Sequence, residues 1–171
     1  MALSQQIDID IIFEEESSSV DIVWDARLVP KHSLDISSFI HQKTAADDSF
    51  FALKTPWDII QQNVAMVSED IELLKESFDT NQHVQQVSKA GLHPLFAHPT
   101  ARLEQCFVNT DEGPVMIDED ACIMQGAMLR GPVYIGKRSV VKMGAALYAG
   151  TNIGNDCIVG GEIKNTIFQA Y

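Results

Sequence analysis

Aliphatic residues recur at every sixth position in the second half of the chain. An Ile, Leu or Val fills eight consecutive positions of one register: Ile117, Ile123, Leu129, Ile135, Val141, Leu147, Ile153 and Val159. Because these three residue types make up 41 of the 171 residues, eight hits by chance have a probability on the order of one in 100,000 per register. The register is therefore a structural pattern.

A second column accompanies the first, four residues later in each repeat. Its members are small or β-branched: Ala121, Ala127, Val133, Ser139, Ala145, Thr151, Cys157 and Ile163. A period of six fits neither an α-helix nor a simple strand. It fits a coil of three short strands joined by turns, in which the aliphatic residue points inward and stacks on its counterpart one circuit later, about 4.8 Å away. Eight of the ten glycines lie between residues 126 and 161, where the turns need unusual backbone angles.

A helical pattern precedes this segment. Thr55 is a predicted N-cap, Pro56 suits the first helical position, and Asp58 lies in the first turn. Apolar residues then follow at spacings of three and four: Trp57, Ile60, Val64, Val67, Ile71, Leu74 and Phe78. The pattern predicts one helix from residue 56 to about residue 77. We expect this apolar stripe to pack on its own chain, against the repeat segment or the N-terminal strands, rather than on a separate partner.

The remaining sequence has weaker patterns. Alternation predicts strands near residues 6–13 and 20–30, and residues 35–42 favour a short helix, while residues 79–100 read as a loop. The predicted organisation is an N-terminal α/β segment (1–54), a linker helix and loop (55–100), and a repeat domain (101–171). The N-terminal segment has no Gly-rich phosphate loop, so by itself it is not a nucleotide-binding domain.

Composition and charge limit the kinds of partner that are expected for this chain. The formal net charge is −12, which disfavours nucleic acid. No apolar stretch approaches the roughly 20 residues of a membrane helix, and the acidic N-terminus is unlike a signal peptide. We therefore predict a cytoplasmic protein that binds neither nucleic acid nor membrane. Cys106, Cys122 and Cys157 match no metal or redox spacing, so packed, reduced thiols are expected.

The repeat segment resembles the hexapeptide-repeat acyltransferases, and "IGKRSV" and "IGNDCI" match their signature in full. This resemblance implies a left-handed parallel β-helix, an exception to the usual right-handed crossover. It also implies a homotrimer with active sites between neighbouring subunits. The outward apolar residues Val140, Ile158 and Met143 are the expected trimer contacts.

A narrower resemblance covers most of the chain after about residue 25. The segments "ARLVP", "PWDI", "DEGPVMID", "GAMLRGPVYIG" and "GGEIKNTIF" are similar to the C-terminal part of bifunctional sugar-nucleotide enzymes. These are of the UDP-N-acetylglucosamine pyrophosphorylase and glucosamine-1-phosphate N-acetyltransferase type, especially the variants of Bacteroidetes-type bacteria. In that family a long helix joins a nucleotidyltransferase domain to an acetyltransferase β-helix. The resemblance implies that residues 1–54 are a remnant of the first domain.

The same resemblance supplies candidate site residues. Lys164 matches a lysine that binds the phosphate of the amino sugar, Arg130 resembles an arginine of the same pocket, and Glu162 is a candidate for orienting the lysine. The alternative for Lys164 is a solvated turn lysine. The family's catalytic histidine follows the "E-I/M-K" stretch by about a dozen residues, whereas residues 99–171 contain no histidine. No catalytic residue is therefore expected.

Metal and cofactor predictions follow. His93 and His98 share a Pro-containing loop without a third ligand nearby, so no metal site is expected. Acetyl-CoA and Mg²⁺ belong to the full-length family, and no cofactor is predicted for this chain. The aromatics Tyr134, Tyr148 and Phe168 are expected as outward turn or interface residues rather than as an acetyl-CoA site.

The predicted function is part of a sugar-nucleotide biosynthetic transferase. The chain would carry the linker and the start of the acyltransferase β-helix, would bind a sugar phosphate or sugar nucleotide, and would be inactive alone. We expect the β-helix to be truncated, because the last predicted coil ends on apolar residues without a cap. The alternative is a non-catalytic trimerising module or a regulatory partner, and the sequence leaves open whether the chain itself is an enzyme.

Overall fold

The computed structural model describes residues 28–30, 50–52, 55–78 and 87–170. The chain divides into two compact units, Met1–Lys54 and Thr55–Tyr171. In the first unit, β1 (Leu28–Pro30) pairs antiparallel with β2 (Phe50–Ala52). The strand predicted at residues 6–13 and the helix predicted near residues 35–42 lie outside the described residues.

In the second unit, the described residues form one helix followed by a left-handed parallel β-helix of about four turns. Its three sheets are here numbered I to III. Sheet I contains β4 (Leu95–Ala97), β7 (Val115–Ile117), β10 (Val133–Ile135), β13 (Thr151–Ile153) and β16 (Ile167–Phe168). Sheet II contains β5 (Arg102–Leu103), β8 (Cys122–Ile123), β11 (Val140–Val141) and β14 (Ile158–Val159). Sheet III contains β3 (Ser88–Ala90), β6 (Phe107–Asn109), β9 (Met128–Arg130), β12 (Ala146–Leu147) and β15 (Glu162–Ile163).

The predicted hexad column forms the core. All eight aliphatic residues between Ile117 and Val159 point inward, and none is more than 4% exposed. Ile135 is in register with Ile117 of the preceding coil and with Ile153 of the following one. The accompanying small residues are buried as well. The periodicity prediction is confirmed, and the physical reason is direct stacking of branched side chains at the strand spacing.

The β-helix begins earlier than predicted. The loop expected over residues 79–100 contains β3 and β4, whose residues pair with the next coil. Leu95 pairs with Val115, and Val115 in turn pairs with Val133, so the circuit that starts at Leu95 is longer than the regular one that follows it. Extra turn residues shift the first coil off the period of six. The six-residue period therefore did not reveal this coil.

Helix α1 spans Pro56–Leu74 and is followed by a 3-10 turn at Lys75–Ser77, as predicted to within a few residues. The backbone N–H of Thr55 donates a hydrogen bond to the Asp58 carboxylate at 2.8 Å, which stabilises the start of the helix. The second half of its stripe lies on sheet I, where Val67 and Ile71 are buried in one cluster with residues of β4 and β7.

The first half of the stripe is more exposed than the second. Trp57, Ile60 and Val64 are 70%, 44% and 38% exposed. The alternative that these three residues pack against the N-terminal strands stays a prediction, because the strand predicted at residues 6–13 lies outside the described residues.

Three side-chain hydrogen bonds hold α1 on the β-helix. The side-chain amide of Asn63, which is buried, donates to the Gly150 carbonyl and to Asn165 Oδ1, while Asn165 Nδ2 donates to the Ile60 carbonyl. Asn165 lies in the left-handed backbone region (φ +46°), which Asn tolerates better than most residues. The helix is thereby fixed to the corner between sheets III and I.

Several other side chains can be compared with the predictions. Cys106, Cys122 and Cys157 are free and buried, as expected. Phe168 packs against the core, so its assignment as an outward residue is wrong. Tyr134 does point outward from the coil, but α1 partly covers it. No helix in the described part of the chain is long and apolar enough to cross a membrane.

Candidate functional site

The three predicted site residues lie on the outer face of sheet III. Arg130 ends β9, Glu162 begins β15, and Lys164 follows β15 directly. Side chains alternate between the two faces of a strand. Because Leu129 and Ile163 are buried in the core, their neighbours must point outward. All three candidate residues are accordingly exposed.

Strand register decides how far apart they are. Leu147 pairs with Leu129 on one side and with Ile163 on the other. Continuing this register by one residue places Tyr148 between Arg130 and Lys164. Their backbones are therefore about two strand spacings apart, roughly 10 Å. The structure therefore places Arg130 and Lys164 on one face without direct contact. Their long side chains can span this distance around a phosphate-sized ligand.

The electrostatics of the two cations differ. Arg130 Nη2 forms an ion pair with Glu112 Oε1 at 2.9 Å, and both side chains are about half exposed. For Lys164 no ion pair occurs with any other residue that the structure describes. Glu162 lies two residues before Lys164 on the same face and adds a negative charge near it. An anion would therefore meet one available ammonium group and one guanidinium that is already partly neutralised.

A shallow concavity of about 360 Å³ adjoins Arg130 on this face. Its lining is mostly apolar and spans four strands, with Ser88, Ala90, Phe107, Asn109, Met128, Arg130, Ala146 and Tyr148 pointing outward. Phe107 and Met128 are 55% and 50% exposed. Lys164 and Glu162 are outside the lining. Tyr148 points outward as predicted, but the sequence did not indicate that it or Asn109 lies beside Arg130, because only strand register identifies these neighbours.

Two further titratable side chains, His98 and Cys106, lie beside strands β4 and β6. His98 Nδ1 lies 2.9 Å from the Thr100 hydroxyl, and its ring contacts Phe78 edge-on. Burial raises the pKa of the Cys106 thiol, which keeps it protonated. Within the described residues no group of three or more His, Cys, Asp or Glu side chains is placed to hold a metal ion. The face thus carries Arg130 and Lys164 together with the carboxylates of Glu112 and Glu162.

Comparisons of the chain with protein-family models, with curated proteins and with solved structures gave no match. The functional argument therefore depends on the residues of this face and on the fold that positions them.

Proposed function

We propose that the chain is a sugar-phosphate-binding part of a sugar-nucleotide biosynthetic transferase, with its acceptor phosphate held at the outer face of sheet III. The observation that carries this proposal is the placement of Arg130 and Lys164 on one face, two strands apart. Both are hydrogen-bond donors that stay charged at neutral pH and bind phosphate oxygens. In the transferases that the sequence resembles, acetyl-CoA would donate the acyl group and Mg²⁺ would serve the nucleotidyl step.

The proposal implies weak binding without turnover. Acetyl transfer to an amine needs a general base with a pKa near neutrality, and residues 99–171 contain no histidine. Half of the cationic site is paired with Glu112, and the net charge of −12 opposes anions. We expect a dissociation constant for glucosamine 1-phosphate on the order of millimolar, about 4 kcal/mol of binding free energy.

Four variants test the phosphate contact by NMR titration with glucosamine 1-phosphate. Arg130→Ala and Lys164→Ala should each weaken binding several-fold, because each removes a charged donor. Glu112→Gln should strengthen binding, because it frees the Arg130 guanidinium. Lys142→Ala is the matched control, since Lys142 is an exposed lysine just after β11 in sheet II. Equal loss in the control, or no gain with Glu112→Gln, contradicts a specific site.

A thiol-release assay with acetyl-CoA and glucosamine 1-phosphate tests the second half of the proposal. The chain should release no thiol above the uncatalysed rate. Turnover that survives both Arg130→Ala and Lys164→Ala would place the chemistry elsewhere in the molecule.

A non-catalytic trimerising module is the second candidate, and the exposed apolar residues at sheet II favour it. Ile158 and Met143 are 68% and 61% exposed, and Val140 next to Ile158 is partly exposed. Such residues are typical of a protein contact rather than of a solvated face. Sedimentation should show a trimer that Ile158→Asp disrupts. Leu92→Asp, at a fully exposed leucine, should leave it intact. A trimer without phosphate binding would favour this candidate.

A further inference from the structure

The outer face of sheet III presents two parallel columns of side chains that differ in polarity. Strand register aligns the outward residues of β6, β9 and β12 beside one another, and all of them line the concavity. The apolar column, on the side of sheet II, consists of Phe107, Met128 and Ala146. The polar column, on the side of sheet I, consists of Asn109, Arg130 and Tyr148. A ligand on this face therefore meets a cationic side and an apolar side.

The apolar column contains a gap at Ala146. Phe107 and Met128 are about half exposed and project from the face. Ala146 lies between Met128 on one side and Glu162 on the other. Because its side chain is a single methyl group, it leaves room between these two longer neighbours. Glu162 is outside the lining of the concavity.

This gap lies beside the proposed position of the phosphate. Continuing the register of β12 by one residue places Tyr148 between Arg130 and Lys164. Ala146 and Tyr148 are two residues apart and point to the same face, so they are about 6–7 Å apart along the strand direction. A phosphate held by the two cations thus has the gap at Ala146 to its side, within the width of one sugar ring.

A sugar hydroxyl at this gap would find few hydrogen-bond partners among the residues that line the concavity. The backbone N–H groups of Met128 and Tyr148 donate to carbonyls of neighbouring coils. Asn109 is engaged with the turn after β6, since its Nδ2 donates to Asp111 Oδ2 at 3.0 Å and its Oδ1 accepts from the Asp111 N–H at 2.8 Å. Ser88 lies in β3, three strands away from β12. A hydroxyl placed over the apolar column therefore loses water without gaining a protein hydrogen bond.

Charge alone gives little selectivity on this face. The Arg130 guanidinium is already paired with Glu112, and Glu162 lies two residues before Lys164. These carboxylates weaken the attraction of any anion, whatever is attached to its phosphate. The contact with the apolar column is therefore the feature that can distinguish one sugar phosphate from another.

We propose that the face selects 6-deoxy sugar 1-phosphates, with the methyl group of the sugar over Ala146 and beside Met128. A hexose without its 6-hydroxyl carries a methyl group at its exocyclic carbon, which reaches beyond the edge of the ring. That methyl group matches the gap in size and in polarity. The inference rests on the proposed function, from which it takes the phosphate contact, and it adds the chemical class of the sugar.

A matched pair of probes tests the selectivity by NMR titration of the unsubstituted chain. The probes 6-deoxyglucose 1-phosphate and glucose 1-phosphate differ by one hydroxyl group. The deoxy sugar phosphate should bind about 3- to 10-fold more tightly, because its methyl group is buried without loss of a hydrogen bond to water. Inorganic phosphate is the third probe. It reports the contact with the two cations alone and should bind more weakly than the deoxy sugar phosphate.

Variants at the gap sharpen the test. Ala146→Ser supplies a hydrogen-bond partner for the 6-hydroxyl and should make the two sugar phosphates bind about equally. Ala146→Val fills the gap and should weaken both sugar phosphates, while inorganic phosphate binds as before. Ala65→Ser is the matched control, since Ala65 is an exposed alanine on α1 and should leave the preference intact. Circular dichroism checks that each variant keeps its fold.

The possible failures of the inference and of the proposed function give different results. Equal binding of the two sugar phosphates, with both lost in Arg130→Ala, would overturn the inference and leave the proposed function standing. No binding of any of the three probes would overturn both. Tighter binding of glucose 1-phosphate would also overturn the inference, and Glu162→Ala would then show whether the hydroxyl donates to Glu162 instead. The unsubstituted chain decides each of the three outcomes, so an unstable variant does not obscure them.

Discussion

Replacing Ile135 by Ala tests the central claim that one inward column holds the β-helix together. Ile135 is fully buried between Ile117 and Ile153, which pair with it from the neighbouring coils. The change removes three carbon atoms, worth about 2.4 kcal/mol at roughly 0.8 kcal/mol for each buried methylene. A cavity then adds to this loss, because the surrounding structure relaxes only partly.

We expect little relaxation at this position. Ile117 and Ile153 are held at fixed heights by hydrogen-bonded strands on both sides, so neither moves into the gap without breaking the ladder. The free energy of unfolding should therefore fall by about 3–4 kcal/mol, near the middle of the range of roughly 2–5 kcal/mol for such truncations. Ile135→Val should cost only about 1 kcal/mol.

Urea denaturation followed by circular dichroism measures these differences, with the slope of the transition compared between variants. Leu92→Ala is the matched control, because it also removes three carbon atoms but from a fully exposed side chain. It should change the free energy of unfolding by less than about 0.5 kcal/mol. If Ile135→Ala cost no more than Leu92→Ala, stability would not come from the inward column.

Three further predictions concern polar contacts. Asn63→Ala should lower the free energy of unfolding by about 1–3 kcal/mol in urea titrations, because it leaves a buried carbonyl acceptor without its donor. Arg138 forms two bonds to Asp156, at 2.6 and 2.7 Å, and lowers the pKa of that carboxyl. This contact stabilises the fold above the ordinary pKa of Asp, and the benefit is lost as pH falls through the lower folded value. Arg138→Gln should return the pKa towards its ordinary value in an NMR titration. Burial and the nearby Asp118 raise the pKa of Tyr134, whose hydroxyl donates to Asp118 at 2.9 Å. Stability should therefore fall as pH rises above about 10, where unfolded Tyr ionises, and Tyr134→Phe should weaken that fall.

Local patterns were sufficient for the elements that repeat regularly. The hexad register identified every inward residue from Ile117 to Val159 because the coils there are equal in length and each side chain stacks on its equivalent. The helix start was equally readable, since Pro56 and Asp58 satisfy the requirements of a first turn without help from the rest of the fold. In both cases the residues that decide the local structure can be read directly from the sequence around each position.

The first coil and the candidate site required long-range information. Leu95 escaped the register because its circuit is longer than the regular ones, and turn length is free to vary once strands pair. The pairing of Arg130 with Glu112, and the position of Tyr148 between Arg130 and Lys164, follow from contacts between coils. The lengths of the turns, and therefore which residues become neighbours in adjacent coils, cannot be read from a single sequence.

Patterns in the chain were enough to show which face of each short strand is buried, where α1 begins and which side of it is apolar. Only the folded structure shows which part of that side lies on the β-helix: Val67 and Ile71 are buried against residues of β4 and β7. The reason is physical. A period in the sequence fixes the direction in which a side chain points from its own helix or strand. Whether that side chain is buried depends on whether another coil lies at the same height.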